Sequence, residues 1–211
     1  MTSPFLVYRM IHIDNLAEIL QYGKVVCPNH ANADIGYKQI GNNDIITQRN
    51  HKLIPGFGTK TFRDSISFYF GYPSIMLLNI KTGHGVPKLP QDEIIYLSYD
   101  ISAITMHGYS FFYTDGQANK IPTTKVFTNL SDICEVDLKI AYTRDFDSVA
   151  TTKNPDLKRR KHAEFHIFNS INLDHLHEIV VYSDVQHFRV RNLISYYQRN
   201  TTVRIDKNYY Y

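Results

Sequence analysis

The chain has 211 residues, of which 43% are hydrophobic and 20% are charged, and its formal net charge is +3 at pH 7. This composition excludes wholesale disorder, and the length suits one globular domain over residues 1–211. Two cysteines, Cys27 and Cys134, exclude a disulfide scaffold and a cysteine-rich zinc module. The apolar runs are far shorter than the ~18 residues that a membrane span needs, and the N-terminus does not resemble a secretory signal. We therefore expect a soluble, cytoplasmic protein with no membrane partner.

The first half of the chain contains apolar segments around one long polar stretch. A strand is predicted over residues 7–13, followed by a helix over 15–22 that Asp14 caps and Gly23 ends. Residues 28–58 are rich in Asn, Gly and His, which predicts an extended loop, and loops of this length are typically functional. The next predicted elements are a strand over 65–70, a short helix over 74–80 and a strand over 94–101.

The second half is less regular. A short strand over 109–113 ends in the turn Thr114-Asp115-Gly116, and residues 120–155 form an irregular stretch with a helix around 132–141. The remaining predicted elements are strands over 163–168 and 178–182, a helix over 185–197 and an edge strand over 203–211. Strands and helices follow one another without βαβ alternation, which favours an α+β fold around a split sheet.

One carboxylate stands out in an apolar strand. Four consecutive cations at 158–161 precede the segment His162-Ala163-Glu164-Phe165-His166-Ile167-Phe168. Strand alternation places Glu164 and His166 on the face opposite the apolar side chains. A carboxylate there costs free energy unless it is paired or functional, so Glu164 is a candidate catalytic residue. The alternative is an edge-strand charge that faces water. We expect the four cations to hold phosphates.

Other polar residues carry weaker signals. His162 and His166 are four residues apart, and no third ligand follows at a metal-binding spacing, so no metal site is predicted. Considered alone, Arg49 is a solvated surface arginine, and His12 is a core or capping histidine. The 13% aromatic residues can build a core or platforms on which nucleic-acid bases stack.

Five segments in register resemble the DarT family of toxins, which ADP-ribosylate DNA. The segments are Tyr8-Arg9-Met10-Ile11-His12-Ile13-Asp14-Asn15-Leu16; Ile40-Gly41-Asn42 with Arg49; Ser67-Phe68-Tyr69-Phe70 with Met76-Leu77-Leu78-Asn79-Ile80; Thr114-Asp115-Gly116; and Arg160-Lys161-His162-Ala163-Glu164-Phe165. The resemblance extends from residue 7 to about residue 184. It implies an ADP-ribosyltransferase fold, NAD as donor, no metal, and thymine or guanine of single-stranded DNA as acceptor. It also implies a macrodomain-type antitoxin that removes the mark.

The resemblance assigns roles by position. Glu164 and Arg49 resemble the catalytic pair, of which Arg49 also contacts NAD. The predicted NAD-binding residues are His12, Ile13, Asp14 and Arg49, with Tyr69 in the nicotinamide pocket. The predicted DNA-binding residues are Tyr72, Met76 and Gln117, the last standing where family members often have His. Residues 28–58 resemble the flap over NAD, and residues 120–155 resemble the loop that selects the substrate.

A carboxylate suits this chemistry, because loss of nicotinamide leaves an oxocarbenium-like ribose that an anion stabilises. Two alternatives remain open. The first is a transferase of the same fold that uses Glu164 to modify RNA or protein. The second is a non-catalytic single-strand binder that consumes no NAD. The order of His12, Arg49 and Glu164 along the chain counts against the binder.

Overall fold

The computed structural model describes residues 4–121, 123–144 and 156–211. Its strands are Leu6–His12 (β1), Lys24–Val26 (β2), Ser65–Tyr69 (β3), Ile94–Asp100 (β4), Phe111–Thr114 (β5), Val126–Phe127 (β6), Glu164–Phe168 (β7), Ser170–Asn172 (β8), Leu176–Val181 (β9) and Val203–Ile205 (β10). Its α-helices are Leu16–Tyr22 (α1), Asn43–Asn50 (α2), Ile75–Thr82 (α3), Ile101–Met106 (α4), Leu138–Ala141 (α5), Asp156–Lys161 (α6) and Asp184–Tyr196 (α7). None of these helices is long and apolar enough to cross a membrane.

Eight strands form the main sheet in the order β10-β9-β4-β1-β3-β7-β5-β6, while β2 and β8 pair separately. Strand β1 pairs with β4 along its whole length, and β3 pairs likewise with β7. Between β1 and β3, however, only Tyr8 and Tyr69 are paired. The sheet therefore has two halves joined at one point, which confirms the predicted α+β fold with a split sheet.

The two faces of the sheet are packed differently. One face buries Val7, Ile11, Phe68, Phe165 and Ile167 against helices that include α1 and α7. The other face buries Tyr8, Met10, Tyr96 and Val180 under α3 and the C-terminal residues Tyr209 and Tyr210. Because paired residues share a face, the register Tyr8–Tyr69–Glu164 places the glutamate on this second face. The predicted alternation around Glu164 is thus confirmed.

The start of α1 differs from the prediction. Gly23 ends the helix at a φ of 77°, as expected, but Asp14 is not its cap. Instead, Nδ1 of His12 accepts a hydrogen bond from the backbone N–H of Asp14. The Asp14 carboxylate binds the side chains of Lys38 and Arg189. Asp14 therefore connects α1 to later parts of the chain.

The long polar stretch 28–58 contains α2, so its prediction as an extended loop is wrong there. No residue of α2 is buried, which explains why the sequence shows no apolar face. The helix begins at Asn42, whose side chain accepts a hydrogen bond from the Ile45 N–H at 3.0 Å. This cap and the contacts of Arg49 with Glu164 and Phe62 hold the helix in place.

Two further predictions are corrected in part. The helix expected around 132–141 is a 3-10 turn, Leu130–Glu135, followed by the separate helix α5. Residues 122 and 145–155 of the irregular stretch lie outside the described residues. The edge strand expected over 203–211 is confined to β10. After it the chain turns, because Tyr209 and Tyr210 are buried in the core.

Candidate active site

Glu164 begins β7 in the interior of the sheet, between β3 and β5. Its partner in β3 is Tyr69, and the residue is 4% exposed. The interpretation of Glu164 as an edge-strand charge that faces water is therefore wrong. A buried carboxylate in this position requires compensating partners.

Three groups surround the Glu164 carboxylate. Nη2 of Arg49 donates to Oε2 at 2.8 Å, and the backbone N–H of Ala118 donates to Oε1 at 3.3 Å. Nε2 of His166 lies 3.2 Å from Oε2. Burial acts to raise the pKa of Glu164, but Arg49 and His166 outweigh it and lower that pKa to about 2. The carboxylate is therefore ionised at neutral pH.

Arg49 reaches Glu164 from the last turn of α2. Its guanidinium carbon lies 4.9 Å from the centre of the Phe62 ring, and its side chain is 20% exposed. Lys52, just beyond the helix, donates from Nζ to the carbonyl oxygens of Asn119 and Ile121 at 2.8 and 3.3 Å. Arg49 thus packs on Phe62 and binds Glu164, and its interpretation as a solvated surface group is wrong.

His166 supports the same carboxylate from two residues along β7. Its ring stacks on Phe112 with 4.4 Å between the ring centres, and its Nδ1 lies 3.1 Å from the Ser65 hydroxyl. Burial lowers the pKa of His166, although the Glu164 carboxylate acts to raise it. The sequence alone predicts no role for His166 at this site; the available signal was its shared strand face with Glu164.

A cavity of about 190 Å³ lies over the gap between β1 and β3. It brings together three predicted site residues, Arg49, Tyr69 and Met76. The other lining side chains that matter below are Arg9, Arg63, Ser65, Ser67 and His166. The split of the sheet thus creates the space beside the Arg49–Glu164 pair.

The predicted NAD segment His12–Asp14 lines a separate depression. Nε2 of His12 lies 3.0 Å from the Glu93 carboxylate, and Ile13 is buried. The next residue, Asn15, exchanges two hydrogen bonds with the backbone of Lys38. This turn therefore holds the chain just before Gln39–Asn42, which lines the cavity.

The remaining predicted DNA-binding residues, Tyr72 and Gln117, do not line this cavity. Gln117 precedes Ala118, and its backbone is fixed by bonds to Arg159 and Thr124. Tyr72 stacks on Tyr209, with 3.5 Å between the ring centres and an angle of 11°. Together with Tyr8 and Tyr142, these two rings form an aromatic cluster beside β3.

Most of the cations at 158–161 bind other groups of the protein. Arg159 pairs with Asp115 at 2.9 Å, and Arg160 pairs with Asp137 at 3.1 Å. Lys161 is buried and donates to the Ala141 carbonyl oxygen at 3.0 Å; burial lowers its pKa to about 8. The expectation that the whole run holds phosphates is therefore wrong for these three residues.

The described ranges contain no group of three or more His, Cys, Asp or Glu residues placed to hold a metal ion. The chemistry of the site is that of an ionised carboxylate, a paired guanidinium and a cavity with further arginines. This combination suits a substrate that carries anionic groups and develops positive charge during reaction.

A family model described as "ssDNA thymidine ADP-ribosyltransferase, DarT" matches residues 8–211. The chain belongs to the DarT family. Curated relatives include a DNA ADP-ribosyl transferase of Escherichia coli O127:H6 (strain E2348/69 / EPEC), which is 29% identical over 95% of this chain and 89% of the relative. A second, from Thermus sp. (strain 2.9), is 27% identical over 99% of this chain and 97% of the relative.

Solved DarT structures match over nearly the whole chain. Thermus sp. 2.9 DarT in complex with ADP-ribosylated single-stranded DNA is 26% identical, with a TM-score of 0.89 over 99% of this chain and 97% of that one. The same protein in complex with NAD+ is 25% identical, with a TM-score of 0.84 over 99% and 98%. This DarT chain is accordingly an NAD-dependent ADP-ribosyltransferase of single-stranded DNA, as predicted.

Proposed function

We propose that Glu164 and Arg49 together transfer ADP-ribose from NAD to a thymine or guanine base, and that the single domain 1–211 acts as a cytoplasmic toxin by blocking replication. The observation that carries the assignment is the buried, ionised Glu164 carboxylate held by Arg49 beside a cavity. Ionised carboxylates in such enclosed positions are typical of sites where positive charge develops.

The transfer exchanges one glycosidic bond for another. The bond between C1′ of the ribose and the nicotinamide nitrogen breaks, and its electron pair leaves with nicotinamide. A base nitrogen then forms the new bond to C1′ and loses its proton to water. Glu164 holds the ribose hydroxyl and balances the positive charge on the sugar, which an anion alone can do.

Arg49 acts through its charge in this proposal. Its guanidinium donates to Glu164 at 2.8 Å, and such a group stays protonated at working pH. Arg49 therefore keeps Glu164 ionised and oriented and is a poor proton acceptor for the base. When NAD is present, the same guanidinium can also contact it, because Arg49 lines the cavity.

The cavity combines arginines with aromatic rings, which suits the phosphates and the rings of NAD. Burial raises the pKa of Tyr69, which keeps its hydroxyl neutral beside Glu164. A neutral phenol supplies an aromatic face for nicotinamide without adding negative charge to the site. His12, Ile13 and Asp14 support NAD binding through the Lys38 segment that Asp14 and Asn15 hold.

Met76, Tyr72 and Gln117 are proposed to contact DNA. Met76 lines the cavity, and Tyr72 belongs to the adjacent aromatic cluster, so both lie where an acceptor base can stack. Gln117 lies next to Ala118, which donates to Glu164. Its amide can therefore hydrogen-bond a base edge and influence the choice between thymine and guanine.

The product retains a glycosidic bond between ADP-ribose and the base, so its removal requires a glycohydrolase. A macrodomain-type ADP-ribosylglycohydrolase antitoxin is the partner that we propose, following the family resemblance.

The Glu164→Gln variant tests the assignment. Gln keeps the size of the side chain but loses its charge, so transfer to a single-stranded oligonucleotide should fall by at least about 100-fold while NAD binding persists. Mass spectrometry of oligonucleotides incubated with NAD measures transfer, and calorimetry measures NAD binding. RNA and protein acceptors in parallel reactions test the alternative substrates.

The matched control is Asp184→Asn, which removes an exposed carboxylate from the first turn of α7. This variant should transfer ADP-ribose at the wild-type rate and be as toxic in cells. If Glu164→Gln also transferred at a rate close to that of the wild type, Glu164 would be a structural residue and the proposed mechanism would fail.

A further inference from the structure

Two arginines besides Arg49 line the cavity beside Glu164. Arg9, from β1, donates from Nη1 to the Ser67 carbonyl oxygen at 3.0 Å, but its Nε is buried without a hydrogen-bond partner. Arg63 lies in the turn before β3. Within the described ranges its guanidinium makes no hydrogen bond or ion pair, and its Nε is also buried without a partner.

This arrangement differs from that of Arg159, another half-buried arginine. Arg159 pairs with Asp115 and Asp156, whereas among the three cavity arginines only Arg49 contacts a carboxylate in the described residues. Buried donors without acceptors cost free energy, and so do like charges around one cavity. An anion that entered the cavity would relieve the repulsion between these like charges.

The position of Arg9 indicates which anion fits. A second cavity of about 440 Å³ adjoins the first, and Arg9, Pro28, Tyr37 and Gln39 line both. Its other walls include Asn15, Tyr22, Val25 and Cys27. If the nicotinamide riboside of NAD lies beside Glu164 and its adenosine fills the second cavity, its diphosphate lies between them, at Arg9.

We propose that Arg9 and Arg63 form an anion subsite that holds the diphosphate of NAD. The proposal rests on the proposed function, in which NAD reacts beside Glu164. A guanidinium fork donates to two phosphate oxygens at once, and the side chains of Arg9 and Arg63 both line the cavity. Because Arg9 and Arg63 come from the two sides of the split, the diphosphate binds across the gap between β1 and β3.

The test compares ligands with and without phosphate on the purified full-length chain. The variants are Arg9→Gln, Arg63→Gln and the charge-retaining Arg9→Lys and Arg63→Lys. Arg191→Gln on the exposed face of α7 is the control. Calorimetry measures the affinity for ADP-ribose, for adenosine and nicotinamide, and for a single-stranded oligonucleotide, at low and high salt.

We expect each Gln variant to bind ADP-ribose about 10–100-fold more weakly, with adenosine and nicotinamide unchanged. The Lys variants should recover part of the loss, and the Gln variants should show a weaker salt dependence. The ratio of ADP-ribose to adenosine affinity within one variant does not depend on the fraction of folded protein.

Two results would overturn the proposal. Unchanged affinity for ADP-ribose in the Gln variants would mean that the arginines are structural. Loss of oligonucleotide affinity alone would assign them to DNA phosphates. A wild-type chain that binds neither NAD nor ADP-ribose would instead overturn the proposed function itself, so the two failures are distinguishable.

Discussion

The ionisation state of Glu164 depends on two opposing effects on the pKa of this one residue. Burial acts to raise the pKa of its carboxyl group, and Arg49 is the main cause of its lowering. Since the result is a pKa of about 2, the ion pair keeps a buried charge in place at neutral pH. The same pair also connects α2 to the central strand β7, so it affects folding as well as chemistry.

The Arg49→Gln variant should therefore show a pH-dependent loss of stability. The pKa of Glu164 lies below its ordinary value of 4.5, so ionisation stabilises the fold above that pH and ceases to do so as the pH falls towards about 2. The difference in free energy of unfolding between wild type and variant should be largest near neutral pH. It should shrink below about pH 4.5, as measured by urea unfolding across this range.

Arg191→Gln again serves as the control, because it removes an exposed arginine that makes no hydrogen bond or ion pair within the described residues. The difference in free energy of unfolding between this variant and the wild type should not vary with pH. A loss of stability in Arg49→Gln that stays constant between neutral pH and about pH 3 would contradict the proposed coupling.

Single residues were predictable from the sequence where the signal is local. Glu164 could be identified because a carboxylate interrupts an apolar strand. Arg49 could not be identified from its own neighbourhood, since its partner is 115 positions away in sequence. Only the family resemblance connected the two residues. His166 was placed on the correct face, but its contact with Glu164 became visible only in three dimensions.

At the scale of elements, prediction depended on whether an element has a buried face. The strands β1, β3, β4 and β7 are apolar and were predicted to within one or two residues. Helix α2 has no buried residue, so no periodic signal was present. The one available clue was Asn42, which caps the helix. Hydrogen bonds and contacts to other segments, rather than its own amphipathicity, hold α2 over the site.

Gly71 fixes the position of α5 relative to β3. A Cβ atom at this residue would lie 2.5 Å from the carbonyl oxygen of Ala141, the atom that also accepts from Lys161. The Gly71→Ala variant should therefore push α5 away and lower the free energy of unfolding by about 1–3 kcal/mol. It should also break the 3.0 Å contact between the hydroxyls of Tyr142 and Tyr8. Thermal melting measures the first effect.

Gly36→Ala is the appropriate comparison, because its Cβ would approach only the side chain of Asp34, at 3.3 Å, in an exposed loop. The free energy of unfolding of that variant should lie within about 0.5 kcal/mol of the wild-type value. Equal melting of the two variants would show that α5 moves without cost and that Gly71 does not fix its position.

At the scale of the whole molecule, the α+β class was predictable, but the order of the strands was not. Strand neighbours such as β3 and β7 are separated by about a hundred residues, and their pairing depends on non-local contacts that no local pattern records. The single pairing of Tyr8 with Tyr69 has a functional consequence. It leaves the rest of β1 and β3 apart, and this gap contains the cavity beside Glu164.

The C-terminal residues complete the face of the sheet on which the site lies. Tyr210 is 1% exposed, and its hydroxyl is placed to donate to the carbonyl oxygens of Ile94 in β4, at 2.9 Å, and Val180 in β9, at 3.2 Å. Tyr210→Ala should remove these bonds and leave a cavity, at a cost of about 3–5 kcal/mol. For a domain of this size, that cost corresponds to a fall in Tm of roughly 6–20 °C.

The control is Tyr196→Ala, at a 78% exposed position on α7, which should change Tm by no more than about 2 °C. If the two variants had the same Tm, the buried Tyr210 side chain would not contribute to the stability of the sheet.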